Sequence, residues 1–172
     1  MGYHKSITNH EGFLQSCAYF SNDEKYRFIL TRKWNKANKV VVFIGLNPSK
    51  ATEMISDPTV RRCVNYAKQW GYDEMIMLNI FALRSTNPKQ LYKSKDPIGD
   101  MNDFCIREDI EMADLIVASW GNHGEHLGRG MEVYKIIKEM NVKCFGINQS
   151  GQPVHPLYQR NDAELIDFKM EE

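Results

Sequence analysis

Four runs of the chain are almost wholly apolar: "KVVVFIGL", "EMIMLNIFAL", "DLIVASW" and "VKCFGI". Continuous apolar runs of this length predict strands covered on both faces, as parallel strands between helices are. "YRFILTRKW" differs, because Tyr26, Phe28 and Leu30 alternate with Arg27, Ile29 and Thr31; that pattern predicts a half-buried strand at an antiparallel edge. Between the apolar runs the spacing turns helical. "DPTVRRCVNYAKQWG" offers Asp57 as N-cap, Pro58 at the first helical position, Val60, Val64 and Ala67 on one stripe and Gly71 as the stop. "TNPKQLYKS" predicts a short helix, "DMNDFCIREDIEMA" a helix with an untidy stripe, and "GRGMEVYKIIKEM" a cleaner one on Val133, Ile136, Ile137 and Met140.

Strands alternating with helices predict an α/β domain: a three-layer αβα arrangement around a central parallel four-stranded sheet, with an N-terminal edge strand. At 172 residues the chain is read as a single domain over 1–172. The hydrophobic fraction of 42% with 26% charged residues is that of a globular protein. The apolar runs are too short for a bilayer crossing and the start lacks the apolar core of a signal peptide, so a cytoplasmic protein is expected. Met1, Gly2 and Ser6 match a myristoylation pattern only loosely, and the match is read as chance. The tail ending in Glu171 and Glu172 is read as a frayed end.

Charge and cysteine usage narrow the chemistry. Twenty-two basic residues balance twenty-two acidic ones, so any contact with nucleic acid must come from a local patch. Cys17, Cys63, Cys105 and Cys144 lie far apart with no C-x-x-C pair, which suggests neither a metal site nor an iron–sulfur cluster. No cofactor is expected.

In open α/β sheets, ligands bind beyond the carboxyl ends of the strands. There the chain gathers Asn47 to Ser49, Asn79, Asn122, His123 and His155. The turn "GLNPSK" lacks the second glycine and the Lys-Ser/Thr pair of a phosphate loop, and no nucleophile elbow follows. Amides and imidazoles can orient a water, read the edge of a base and stabilise a leaving anion, which N-glycosidic bond hydrolysis requires. Each residue also has a plain structural reading. Asn47 before Pro48 makes an ordinary Asx turn, Asp57 a helix cap, His123 and His126 loop histidines, and Trp70 and Trp120 core. Asn79 inside an apolar run is hardest to explain so, since a buried amide needs partners for its donor and its acceptor.

The order of motifs resembles the uracil-DNA glycosylase superfamily. "GLNPS" is similar to its first motif, "MLNIFALR" to its second strand, "VASWGNHG" to its Trp-Gly-x-His segment and "GQPVHPLY" to its late His-Pro motif. The resemblance implies that Asn47 positions the hydrolytic water, Asn79 reads the base, and His155, helped by His123, stabilises the leaving base. More closely, over about 26–168, the chain resembles the bacterial and phage family called domain of unknown function 1643, on "GLNPS", "DPTVRRC", "LNIFALRST", "WGNHG" and "GQPVHPLY". That family brings no established activity.

Gly45, Leu46, Pro48 and Ser49 of the turn, with Phe81, Asn122 and Tyr158, complete the expected lining, Tyr158 as a substitute wedge. Arg61 and Arg62, joined by Arg84 and Arg129, are read as a clamp for a substrate phosphate, or else as a solvated helix face. The expected function is hydrolysis of the N-glycosidic bond of a modified or mismatched base, in a DNA repair or modification setting. Nucleic acid, DNA foremost, or a free nucleotide is the partner, and no membrane is. The alternative is a non-catalytic nucleotide or nucleic-acid binding module. Two departures bear on the reaction: Asn47 cannot serve as a general base as a carboxylate can, and Ser49 replaces the gating residue of the superfamily.

Overall fold

The computed structural model describes residues 2–9 and 12–171, so that Met1 and Glu172, on which the acylation and tail readings partly fall, lie outside the described residues. Eight strands form one mixed sheet in the order β1-β2-β3-β5-β4-β6-β7-β8. These are β1 (Tyr3–Thr8), β2 (Gln15–Ser21), β3 (Arg27–Lys33), β4 (Val40–Gly45), β5 (Glu74–Asn79), β6 (Leu115–Ala118), β7 (Val142–Cys144) and β8 (Ile166–Asp167). The helices are few and short: α1 (Pro58–Gln69), α2 (Lys89–Lys93), α3 (Asn102–Ile110) and α4 (Arg129–Ile137). No helix is long and apolar enough to cross a membrane among the described residues.

This overturns the expected αβα arrangement around a four-stranded parallel sheet with one edge strand. β5, β4, β6 and β7 do pair in parallel, but four of the sheet's seven pairings are antiparallel. β3 is no edge. Residues 2–21, to which the hydrophobic pattern assigned no element, fold back as β1 and β2 and pair with it, and β8 closes the far side on β7. Main-chain donors of β3 that an edge would leave to water are thereby satisfied within the sheet.

The apolar runs read as continuous because the strands feed two cores. Val42 and Ile44 of β4, Ile76 and Leu78 of β5 and Ile116 and Ala118 of β6 pack on one face with Cys105 and Ile106 of α3 and Val133 and Ile137 of α4. Val41, Phe43, Met75, Met77, Leu115 and Val117 pack on the other with Val60, Cys63, Val64 and Ala67 of α1. By the period of two, Gly45, Asn79 and the residue after β6, Ser119, continue onto the α1 face. α1 starts as its sequence predicts: the Asp57 side chain accepts from the Val60 amide at 2.9 Å, and Pro58 occupies the first turn. Gly71, at φ +80°, follows its end in the left-handed region that favours glycine.

β3 carries an irregularity that matters for the site. Tyr19 pairs with Ile29 while Phe20 pairs with Arg27, so Phe28 is an inserted residue. Such a bulge switches the face on which the following side chains fall. Arg27 therefore lies on the α1 side with Phe20, and is 2% exposed. All four cysteines are buried and free. Between α3 and the β1–β3 strands runs a groove of about 460 Å³, lined in part by Cys17, Cys105, Glu74 and Asp109.

Candidate functional site

The C-terminal ends of β4, β5 and β6 face the N-terminus of α1 across an inner recess of about 50 Å³. Arg27, Gly45, Leu46, Asn47, Ser49, Asp57, Thr59, Asn79, Ser119 and His155 are among its walls. It opens into a cleft of about 540 Å³ that shares Leu46, Asn47, Ser49, Asp57 and His155 and extends to Ser85, Trp120, Asn122, His123, Leu157 and Tyr158. Recess and cleft together join the turn after β4, the first turn of α1 and the loops after β5, β6 and β7.

Asn47 is fixed by its own amide. Its Nδ2 donates to the carbonyls of Pro48, Leu83 and Ser85 at 3.0, 3.2 and 3.0 Å. Three acceptors around one atom assign the nitrogen to that side, and the Oδ1 accepts no hydrogen bond within the described residues. The Ser85 amide donates back to the Pro48 carbonyl at 2.8 Å, so the "GLNPS" turn and the segment after β5 are laced together. Pro48 is buried in this lacing.

Asn79, the last residue of β5, is 3% exposed, and its Nδ2 has no partner. It sits in register beside Gly45. A Cβ at Gly45 would approach the Asn79 Oδ1 to 2.9 Å, so only glycine leaves the amide its room. A buried amide donor left unpaired costs about 1–3 kcal/mol.

His155 precedes a short 3₁₀ turn, Pro156–Tyr158, and its Nδ1 accepts from the Leu157 amide at 3.2 Å. With Nδ1 as acceptor, the neutral ring carries its proton on Nε2, a donor on a residue that lines the recess. Burial pushes the imidazole pKa below the ordinary histidine range, and the charge of Asp57 partly offsets this. The loop that carries His155 is held from two sides. Arg62 Nε donates to the Pro156 carbonyl at 3.2 Å, and Trp120 Nε1 donates to Gln152 Oε1 at 2.7 Å. A Cβ at Gly124 or Gly130 would collide with both Trp120 and Gln152, which accounts for those two glycines.

Two charged residues of the recess, Asp57 and Arg27, were not expected as site residues. Asp57, besides capping α1 through Oδ1, lines both recess and cleft, and brings the carboxylate that no strand end supplies. Arg27 donates from Nη1 to the Ala51 carbonyl at 2.9 Å, while its Nε is buried with no partner. Burial lowers its pKa to about 10, partly offset by Asp57, so it stays charged at neutral pH. The helical cap motif makes Asp57 visible in the sequence; nothing there signals the bulge that turns Arg27 inward.

Of the expected site residues, Asn47, His155, Gly45, Leu46, Ser49 and Asn79 meet at the recess. His123, Asn122 and Tyr158 line the outer cleft only. His123 Nδ1 is 2.9 Å from the Tyr92 hydroxyl, Asn122 Oδ1 accepts from Ser150 at 2.7 Å, and Tyr158 is 87% exposed at the rim. Phe81 is fully buried in the core, 5.7 Å from the His126 ring.

The structure does not gather the expected phosphate clamp. Arg61 donates to the Ser56 carbonyl, and Arg62, beside Pro156, lies over Tyr66 at 5.6 Å. Arg84 binds the Glu24 carbonyl and lies over Phe20. Arg129, 1% exposed, holds the Ile80 carbonyl, Asp103 and Glu132. None of the four lines the recess or the cleft. Among the described residues, no three His, Cys, Asp or Glu side chains gather as a metal site.

No curated protein and no solved structure matches the chain. A family model described as a protein of unknown function, DUF1643, matches residues 27–157, a span that holds every residue of the recess. The chain belongs to the domain of unknown function 1643 family.

Proposed function

We propose that the recess and cleft bind a nucleobase with its sugar and that the protein hydrolyses the N-glycosidic bond between them. The observation that carries the reading is the convergence of Asn79, whose amide nitrogen has no partner, Asn47 and His155 on one small recess beneath a larger cleft. The edge of a base enters the recess and the sugar stays in the cleft, where the volume is. The motif order that resembles the uracil-DNA glycosylase superfamily supports the same reaction.

In this reading the C1′–N bond breaks and its electron pair leaves with the base nitrogen. A water held by Asn47 Oδ1 attacks C1′, and its proton passes to the Asp57 carboxylate. Asp57 thus provides the general base that an amide at position 47 cannot, an effect of about 10²–10⁴-fold. Asn79 Nδ2 and His155 Nε2 donate to acceptors on the departing base, which afterwards takes up a proton. A base in a duplex must first be flipped out, at a cost of a few kcal/mol that is smallest for damaged or mismatched pairs.

A second reading, a nucleotide-binding module without turnover, is favoured by one observation: the amide nitrogen of Asn47 is committed to main-chain carbonyls. One assay separates the two. Oligonucleotides, duplex and single-stranded, carrying uracil, mismatched, oxidised or hypermodified bases are incubated with the protein and then cleaved with alkali. Strand cleavage that falls at least about 10²-fold in Asn47→Ala, Asp57→Asn and His155→Ala is expected for the glycosylase. No cleavage on any substrate, with a nucleotide still protecting the protein from heat, selects the binding module.

A further inference from the structure

Arg27 is a charge with an incomplete set of partners. It is 2% exposed, its side chain makes one hydrogen bond, to the Ala51 carbonyl, and its buried Nε has none. No carboxylate comes within ion-pair range of it among the described residues; Asp57, committed to the cap of α1, acts on it only from farther off. A buried guanidinium left in this state is strongly unfavourable unless something else satisfies it. Asn79, which lines the same 50 Å³ recess, carries a second buried donor without a partner, its Nδ2. The first turn of α1, the positive end of a 12-residue helix, forms another wall. Residues that carry unpaired donors and positive charge therefore wall a space too small for a whole base but large enough for the acceptor edge of one.

We infer that the recess is a subsite for the anionic edge of a heterocyclic base, with Arg27 and Asn79 as its donors. The inference takes its ligand class, but not its anion preference, from the proposed function. In the reaction, the electron pair released by the C1′–N bond leaves negative charge on the base, and Arg27 neutralises it where it develops. Bases that ionise readily are then the preferred products and the preferred leaving groups.

Calorimetric titration with two matched pairs of free bases tests this: 5-nitrouracil against uracil, and xanthine against hypoxanthine. Within each pair the ring skeleton is kept and the first member is the more acidic. The expected result is that the acidic member of at least one pair binds about tenfold or more tightly to the native protein. Arg27→Gln should abolish that preference. Asn79→Asp places a counterion in the recess, so it should also abolish the preference while holding or raising the melting temperature. This second variant carries the test if Arg27→Gln does not fold.

Equal binding of both members of each pair overturns the anion inference and leaves the base pocket standing. If no base binds but sodium formate protects the native protein from heat and neither variant, the anion subsite stands and the nucleobase reading falls. If neither bases nor formate have any effect, the inference is overturned whatever the cleavage assay shows.

Discussion

The amide of Asn47 donates into three main-chain carbonyls, and this explains why a carboxylate is unsuited to that position. An aspartate there would set an anion against three carbonyl oxygens and lose all three side-chain bonds to the turn. Asn47→Asp is therefore expected to destabilise the protein by about 2–4 kcal/mol, more than Asn47→Ala, and to leave any hydrolytic activity lower rather than higher. Chemical denaturation of the two variants, beside the cleavage assay, checks both statements. In the proposed hydrolysis the role of base falls to Asp57, which the sequence presents only as a helix cap. A cap uses one carboxylate oxygen, and the second is left for the cleft.

α3 and the strands opposite it make a claim of their own on pH. Burial pushes the Asp109 carboxyl up to about 6, with Lys5 partly offsetting and Glu108 and Glu74 adding to the rise. The folded state thus holds this proton over a window in which the unfolded chain has released it. Stability conferred by the protonated form is complete below about pH 4 and is lost as the pH rises toward about 6. The expected loss is about 1–2 kcal/mol, after allowance for partial solvation. Asp109→Asn should flatten that limb in urea titrations run from pH 4 to 6.5; an unchanged limb would remove Asp109 as its source. At this scale the sequence was informative where an element carries its own punctuation. Asp57, Pro58 and Gly71 delimit α1, and the apolar runs locate β4, β5 and β6. It was silent on β1 and β2, whose mixed polar pattern acquires a meaning only once β3 is there to pair with.

Across the whole molecule, the convergence of Asn47, Asn79 and His155 could be read from strand ends, because a parallel neighbour brings like ends together whatever flanks it. The sheet itself could not. Hydrophobic period says which residues are covered and leaves open which strands are neighbours and in what direction, so beyond the antiparallel strand expected at β3 three further antiparallel pairings escaped it. The bulge at Phe28 is an error of the same kind at closer range: one inserted residue moved Arg27 from the expected outer face into the recess.

The four buried cysteines give the fold a built-in clock. Their thiols are all pushed above their usual pKa by burial, Cys105 to about 12, so in the folded state they are buried and un-ionised. Cys17 and Cys105 border the groove under the N-terminal strands, whereas Cys63 and Cys144 have no exposure at all. A thiol reagent in excess should then be consumed in two steps, the first pair as the β1–β2 wing lifts and the second as the whole sheet opens. Mass spectrometry of a labelling time course would read the order in which this protein comes apart, with no probe added to it.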